Sequence, residues 1–388
     1  MAGPLAGVRI VDFTLYQQGP YATVMLADMG ADVVKVERRE GERTRAYQSW
    51  TGVAFYTNNR RKRSIALDAR TPGGREIVLR LAARSHALVH NFRPGVMERL
   101  GLGYGDVRGA NPTIVYARAS GWGARGPRAR QASVDLIAQA AGGLMSRTGF
   151  EGDPPLPLGA AVADQLGAIH LCAGIAAGIV RAARSGEGSE VDVSLFGSQI
   201  ALQGPEIAAH SLGRGAGARA GAGEGLRRTG GVSGAFPTSD GWIALAADGP
   251  ALDHLLAALA DAGEGPPRAG ASGDHASLDA WVRERLRERT TAAWCERLAP
   301  LDGVAAGPVR RYAEILADPR SRANGYVVDL DHPAWGRRPV VGSPIVFDEM
   351  PLAEPGRVPE VGESTELLLE ELGYGWDEIT ALRESSVI

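Results

Sequence analysis

The chain opens by alternating strand, helix and strand, and no other feature restricts its fold as much. "VRIVDF" (8–13) is a compact apolar run. "GPYATVMLADMG" (19–30) carries apolar residues at helical spacing and stops on Gly30, and "DVVKVE" (32–37) is again a strand. Two strands joined by a helical crossover run parallel, and a parallel sheet needs helices over its faces. The alternation continues with a helix in "PGGREIVLRLAARS" (72–85) and strands in "ALVHN" (87–91) and "TIVYARAS" (113–120). A helix follows in "VDLIAQAAGGL" (134–144), then a long helix after Asp164, a strand in "SEVDVSLF" (189–196) and a helical run toward residue 212. Residues 1–205 are therefore expected to form one large open α/β domain, Rossmann-like in its layering.

Past that point the pattern changes. "GRGAGARAGAGEG" (213–225) is of low complexity, and 206–230 reads first as a glycine-rich linker or loop. "GAFPTSDGWIALAA" (234–247) predicts a hairpin turning at Asp240-Gly241, and residues 250–318 are mostly helical with breaks such as "GEGPPRAGASG". A smaller α+β domain over 231–330 fits. The last part, 331–388, has another extended segment and two short helices after "VGEST", where Ser364 or Thr365 can cap, and is expected to return to the large domain.

Composition narrows the function. With 388 residues, 44% hydrophobic and 22% charged, the chain can build packed cores and is not disordered. A net charge of −3 offers no basic field to nucleic acid or anionic lipid. Lys35 and Lys62 are the only lysines, so any anion site must be built from arginine. Two cysteines, Cys172 and Cys295, make no disulfide framework, and no Cys/His cluster has metal-ligand spacing. "MAGPLAGVRIVDF" lacks the pattern of a secretory signal, and the longest apolar run, about 15 residues, is shorter than the ~20 of a membrane span. The expectation is a reduced, cytoplasmic, soluble protein.

An open α/β sheet binds ligands beyond the carboxyl ends of its strands. There the sequence places "TLYQQGPYA" with Gln17 and Gln18, "VERREGERTR" with Glu37, Arg38, Arg39, Arg43 and Arg45, and "HNFRPGVMERLG" with Asn91, Arg93 and Arg99. "NNRRKRSIALD" adds Arg60, Arg61, Lys62 and Arg63. Convergent guanidinium forks suit phosphate esters, so a phosphorylated cofactor with an adenosine-type group is expected. The turn "QQGP" lacks G-x-G-x-x-G, which argues against a nicotinamide dinucleotide, and no G-x-S-x-G elbow or exposed cysteine offers a nucleophile.

Asp164 in "AAVADQLGAIHLCAGIAAGIVRAAR" (160–184) opens a run of small apolar residues that should be buried. It is either a helix N-cap or a carboxylate kept ionised by a helix N-terminus for attack on an acyl carbon, with Gly159, Ala160, Ala161, Ala163 and Gly167 leaving room for substrate. The residues alone leave both readings open.

Taken in order, "PLAGVRIVDF", "QQGP", "LADMGADVVKVER", "NNRRKRSIALD", "NFRPGVMERLGLGY", "NPTIVYARASGWGARGP", "VDLIAQAAGG", "AVADQLGA" and "SEVDVSLF" resemble the family III CoA-transferases, the CaiB/BaiF-type group containing formyl-CoA transferase, carnitine CoA-transferases and α-methylacyl-CoA racemases. The likeness is nearly continuous from residue 4 to about 200; beyond 205 only "FPTSDGWIALA" and the layout match. The resemblance implies that Asp164 is the catalytic aspartate, with Gln17 lining the catalytic cleft. It also implies that Arg38, Lys62, Asn91, Phe92 and Arg99 contact the nucleotide, its phosphates or the pantetheine arm. CoA and acyl-CoA are then substrates, a carboxylic acid is the acceptor, no metal or prosthetic group is needed, and two chains form an interlocked homodimer. In the related racemases a histidine precedes the aspartate of "ASVDLIAQA"; here Val134 stands there and carries no proton, which favours transfer over racemisation. His170, six residues past Asp164, reads as a core histidine. Some transferases shield the acyl intermediate with a glycine loop, but here a linker is the simpler reading of 213–225.

Overall fold

The computed structural model of the chain describes residues 3–46, 50–149, 152–213, 231–260, 275–332, 335–347 and 356–388. All of the glycine-rich segment except Gly213 lies outside them. Two compact units result: Met1–Leu144 with Pro157–Arg214 and Pro319–Ile388, and Met145–Leu156 with Gly215–Asp318.

The first unit is built on a six-stranded parallel sheet. Its strands are β1 (Arg9–Asp12), β2 (Asp32–Glu37), β3 (Arg63–Ala66), β4 (Ala87–His90), β5 (Val115–Ser120) and β6 (Ser189–Ser194), in the order β3-β2-β1-β4-β5-β6. The first crossover is helix α1 (Gln18–Asp28). Helices α2 (Trp50–Asn58), α3 (Pro72–Ala83), α4 (Val96–Arg99), α5 (Tyr104–Ala110), α6 (Asp135–Ala141) and α7 (Val162–Ser185) follow. Strand order reverses beside β1, so the loops after β1 and β4 diverge and leave a crevice. Each sheet face has its own core. Val11, Val34, Ile65, Leu88 and Tyr116 meet α3 through Ile77, Val78 and Leu81. Ile10, Val33, Val89 and Val115 meet α1 and α7 through Leu26, Leu171 and Ile175.

The small residues of α7 let it approach the sheet. A Cβ added at Gly178 would lie 2.8 Å from Val115 Cγ1, and one at Gly174 would lie 2.8 Å from Val191 Cγ1. Only one face of this 24-residue helix is buried, however, because one face is all that a sheet can cover. Ile169 and Val180 are each 50% exposed, contrary to the expectation that the whole run is buried. Among the described residues α7 is the one helix long and apolar enough to cross a bilayer by length and composition. Its Leu171 and Ile175 are spent on the sheet.

The chain's end belongs to the same unit. After α8 (Leu195–Leu202) and α9 (Gly204–Ser211), and after the second unit, come the antiparallel pair Val327–His332 and Gly336–Val341 and two terminal helices, Thr365–Glu371 and Trp376–Glu384. Leu368, Leu369, Leu372, Ile379 and Val387 enter the core over β1–β4. Ser364 stands at the start of the first of these helices without a side-chain cap, and Thr365 Oγ1 accepts instead from the Ala66 N–H at 3.1 Å. The expected cap is therefore corrected: the hydroxyl satisfies the end of β3. At the amino ends of the strands Arg9 and Arg63 both grip Asp32 and Glu371. The second unit is a three-stranded antiparallel sheet (Val232–Pro237, Trp242–Ala247, Ala305–Pro308) against helices at Gly249–Leu259, His275–Leu286 and Thr291–Leu298, with Phe236, Leu255, Val282 and Trp294 at its centre. Its hairpin turns at Asp240-Gly241 as the sequence predicts.

Under the carboxyl ends of β1 and β2 lies a charged core. Lys62 Nζ donates to Asp12 Oδ2 at 2.9 Å, to Asn59 Oδ1 at 2.8 Å and to the Pro20 carbonyl at 3.2 Å. Thr14 and Thr23 hydroxyls take the remaining Asp12 lone pairs at 2.5 and 2.7 Å. Lys35 Nζ lies 2.8 Å from both Glu42 Oε2 and the Thr14 carbonyl. Although burial pushes the Asp12 carboxyl up, Lys62 and Lys35 together bring it down to about 2. Burial drags Lys62 down to about 8 despite Asp12.

Breaking one partner strands the other. Lys62→Met should cost roughly 3–5 kcal/mol in urea unfolding, whereas Arg80→Ala, which opens the exposed pair with Glu76, should cost under about 0.5 kcal/mol. Because the folded-state pKa of Asp12 lies below the ordinary 3.8, its share of stability is complete above that value and is lost as pH falls toward about 2. An acid titration of the unfolding midpoint, compared with Asp12→Asn, reads it.

Candidate active site

A cleft of about 920 Å³ opens over the carboxyl ends of β1, β2 and β3, bounded by the segment after β4. Its floor is apolar (Phe13, Val36, Leu67), and its rim carries Arg38, Arg39 and Arg43 together with Glu40 and the Asp68–Arg70 ion pair. Phe92 forms one wall, stacked 6.2 Å from the His90 ring and edge-on to Phe13. An apolar floor under a guanidinium rim suits a flat heterocycle bearing phosphates.

The cleft's central loop is held under strain. Tyr16 has φ 66°, a left-handed conformation rare for a bulky residue, and is 62% exposed on the cleft. Its neighbour is clamped: Leu15 N–H donates to Asn91 Oδ1 at 2.8 Å, and Asn91 Nδ2 donates to the Leu15 carbonyl at 2.6 Å. The Tyr16 N–H donates to Glu42 Oε1 at 3.0 Å, so the charged core fixes the loop directly.

Of the residues carried over by resemblance, Arg38 and Phe92 line the cleft. Asn91 shapes it through the backbone. Arg99, exposed on one-turn α4, stands next to the lining residues Val96 and Leu100 but is not itself part of the wall. Lys62 requires a correction: its ammonium is fully buried and held by Asp12 and Asn59, so it anchors the floor and does not reach a ligand. The rest of its segment behaves similarly. Arg60 is paired with Asp28, and Arg63 is held by Asp32 and Glu371 at the opposite strand ends. Arg45 grips Glu37 through both oxygens, at 2.6 and 2.7 Å, leaving Glu37 unavailable to a ribose.

Asp164 stands in the first turn of α7, half-buried. It is not the cap: α7 begins at Val162, and the capping group comes from another helix. Asp135 Oδ1 accepts from the Ala163 N–H at 2.7 Å and the Asp164 N–H at 3.2 Å, while Gln139 Nε2 donates to Asp135 Oδ2 at 2.6 Å. Gln139 Oε1 in turn accepts from Leu158 N–H at 3.0 Å. Among the described residues nothing hydrogen-bonds the Asp164 carboxylate. Burial, reinforced by the Asp135 charge, pushes it up to about 7. The expectation that the helix terminus keeps Asp164 ionised is thus overturned, because Asp135 already occupies that terminus and repels a second charge.

Gln17 is half-buried just before α1, and the buried Gln18 lies against Gly167 of α7. Gly19 is required where it stands, since a Cβ there would meet the Thr14 side chain at 2.3 Å. His170 is half-buried, its Nδ1 2.9 Å from Ser198 Oγ, rather than a core histidine. Val134 is 61% exposed at the start of α6. Burial pushes the Cys172 thiol up to about 11, which suits packing and not nucleophilic work. The sequence reading missed Asp135, Gln139 and Glu42. Asp135 was in view beside Val134, but only tertiary contact reveals that it caps a helix 28 residues away.

The comparisons with known proteins agree on a family. A model described as CoA-transferase family III matches residues 5–365. The chain is 35% identical to a succinyl-CoA:mesaconate CoA-transferase of Haloarcula hispanica, over 96% of this chain and 97% of that protein. It is 33% identical to a formyl-CoA:oxalate CoA-transferase of Streptomyces coelicolor over the full length of both. With human succinyl-CoA:glutarate CoA-transferase it shares 31%, over 95% of this chain and 86% of the relative. A crystal structure of a CaiB/BaiF family protein from Brucella suis superposes with a TM-score of 0.83 at 28% identity, covering 96% of this chain and 100% of that one.

The raised Asp164 pKa has a cost that can be measured. Since the folded chain holds this proton up to about pH 7 and the unfolded chain only to 3.8, wild type loses stability as pH rises between those values. Asp164→Asn should match wild type near pH 4 and exceed it by on the order of 2 kcal/mol above pH 7. Equal pH profiles for the two proteins in urea unfolding would remove the electrostatic account of this site.

Proposed function

The chain belongs to CoA-transferase family III, and on that premise we propose that it moves CoA from an acyl-CoA thioester to a carboxylic acid through covalent intermediates on Asp164. The observation carrying this reading is a half-buried carboxylate in the first turn of α7 that has no hydrogen-bond partner among the described residues and stands beside the small residues Ala161, Ala163 and Gly167. An Asp164 oxygen forms a bond to the thioester carbonyl carbon, and the C–S bond breaks with its electron pair leaving on CoA sulfur. The thiolate attacks the Asp164 carbonyl of the resulting anhydride, giving an aspartyl-CoA thioester and the first carboxylate. The acceptor carboxylate attacks that thioester, and the freed thiolate then takes the new acyl group and regenerates Asp164. No proton is gained or lost overall.

CoA is placed in the cleft over β1–β3. Arg38, Arg39 and Arg43 are proposed to meet its phosphates and Phe92 its apolar parts, while Gln17, just before α1, is proposed to line the catalytic cleft. The relatives are named for succinyl-CoA or formyl-CoA as donors and for glutarate, mesaconate or oxalate as acceptors. A dicarboxylic acid is therefore the proposed acceptor class. A homodimer is also proposed. Ile169, Val180, Ile200, Leu202, Ile207 and Leu212 are all exposed on α7, α8, α9 and the turn that follows, and a second copy of the chain is proposed to cover them. Sedimentation equilibrium giving a stable 40.7 kDa monomer would end that part of the proposal.

Asp164→Ala should abolish transfer between succinyl-CoA and a dicarboxylic acid while CoA affinity changes less than about threefold. Mass spectrometry should show an acyl or CoA adduct on Asp164 in wild type alone. The kcat/KM profile should carry an acidic limb near pH 7, because only the ionised carboxylate attacks. Arg38→Ala and Arg39→Ala should each raise the KM for acyl-CoA about tenfold, as expected when a charge-assisted bond is lost. Wild type should transfer CoA without exchanging the α-proton of a 2-methylacyl-CoA in deuterated buffer, since Val134 supplies no second acid/base group. Fast α-deuteration without transfer would make it a racemase.

A further inference from the structure

A second unpaired group, on α1, lies against α7 at Gly167, one turn beyond Asp164. Gln18, the first residue of α1, is 5% exposed, yet among the described residues its Nε2 has no hydrogen-bond acceptor. Its position is set by Gly167, where an added Cβ would lie 2.6 Å from that nitrogen. Gly167 is three residues after Asp164, so the two positions are neighbours on one helix face. A buried amide donor without a partner destabilises a fold, and so does glycine inside a helix. Both costs fall within one turn of a carboxylate that is itself unpaired, and each is removed by an ordinary substitution such as leucine or alanine. A packing role calls for neither feature, whereas a donor awaiting an acceptor calls for both.

We propose that the Gln18 side-chain amide donates a hydrogen bond to the carbonyl oxygen of the acyl group bound at Asp164. When the Asp164 oxygen bonds to the thioester carbon, the carbonyl π electrons move onto that oxygen. Gln18 Nε2–H stabilises the oxyanion until the C–S bond breaks and the thiolate leaves. No proton is transferred to or from Gln18. Such donors act on the transition state more than on bound substrate, so their loss lowers kcat rather than raising KM.

The inference rests on Asp164 as nucleophile, and the experiment separates the two. Gln18→Met keeps the length of the side chain without any N–H donor, and Gln18→Leu removes the donor with a side chain one atom shorter. Each should lower kcat for succinyl-CoA with a dicarboxylic acid about a hundredfold, with KM for acyl-CoA within about threefold, and Gln18→Leu should melt no lower than wild type. Gly167→Ala retains the amide but displaces it, and should reproduce the kcat loss. Wild-type kcat in Gln18→Met, or a loss in Gln18→Leu explained by a lower melting temperature, overturns the assignment of Gln18. Full activity in Asp164→Ala would instead overturn the nucleophile. An inactive Asp164→Ala beside a fully active Gln18→Leu would leave Asp164 in place and reject Gln18 alone.

Discussion

The large unit is organised around two ion pairs from which water is excluded, Asp12 with Lys62 and Glu42 with Lys35. Removing charges from water costs nearly as much as their attraction returns, so such pairs add little net stability. What they add here is direction. They bind particular atoms of the β1–α1 loop and the first turns of α1: the Thr14 carbonyl, the Thr14 and Thr23 hydroxyls, the Pro20 carbonyl and the Tyr16 N–H. The segment joining β1 to α1 is therefore fixed from below. It can hold a left-handed Tyr16 over the cleft, which a loop on an apolar floor would relax.

This charged core also bears on why the cations of the cleft rim are arginines. The chain contains only two lysines, and both are consumed beneath the sheet's carboxyl edge. Arginine supplies the rim, where its planar fork and permanent charge suit phosphate oxygens. A compact ammonium fits the interior better, because Lys62 can satisfy three acceptors around a single nitrogen.

Five of the six parallel strands and the carboxyl-end location of the cleft were legible because each depends on local periodicity and on a handedness rule, whereas β3 and α2 were not, since Arg63–Ala66 is a short strand inside a basic segment. The hairpin at Asp240-Gly241 was legible from turn chemistry alone. What escaped is what requires distant residues to meet. Nothing in "NNRRKRSIALD" indicates that Arg60 faces Asp28, Lys62 faces Asp12 and Arg63 faces both Asp32 and Glu371, away from the cleft. Likewise a carboxylate in the first turn of a helix reads as stabilised by the dipole until a second carboxylate is found there first. Asp135 holds the N–H groups of Ala163 and Asp164, and so the same local sequence gives a raised pKa instead of a lowered one.

The clasp at the amino ends of the strands bears on how the protein is made. Arg9 and Glu371 are separated by 362 residues, and Glu371 also holds Arg63. The terminal helices bring Leu368, Leu369 and Ile379 into the same core as the first strands. During synthesis β1, β2 and β3 leave the ribosome with that side uncovered and wait until nearly the whole chain has been translated. The interval leaves apolar surface open to chaperones and to neighbouring nascent chains. Premature termination near residue 360 should thus yield no reduced but working enzyme, only an unfinished sheet that quality control removes, and pulse-labelling of such truncated chains would show their short lifetime.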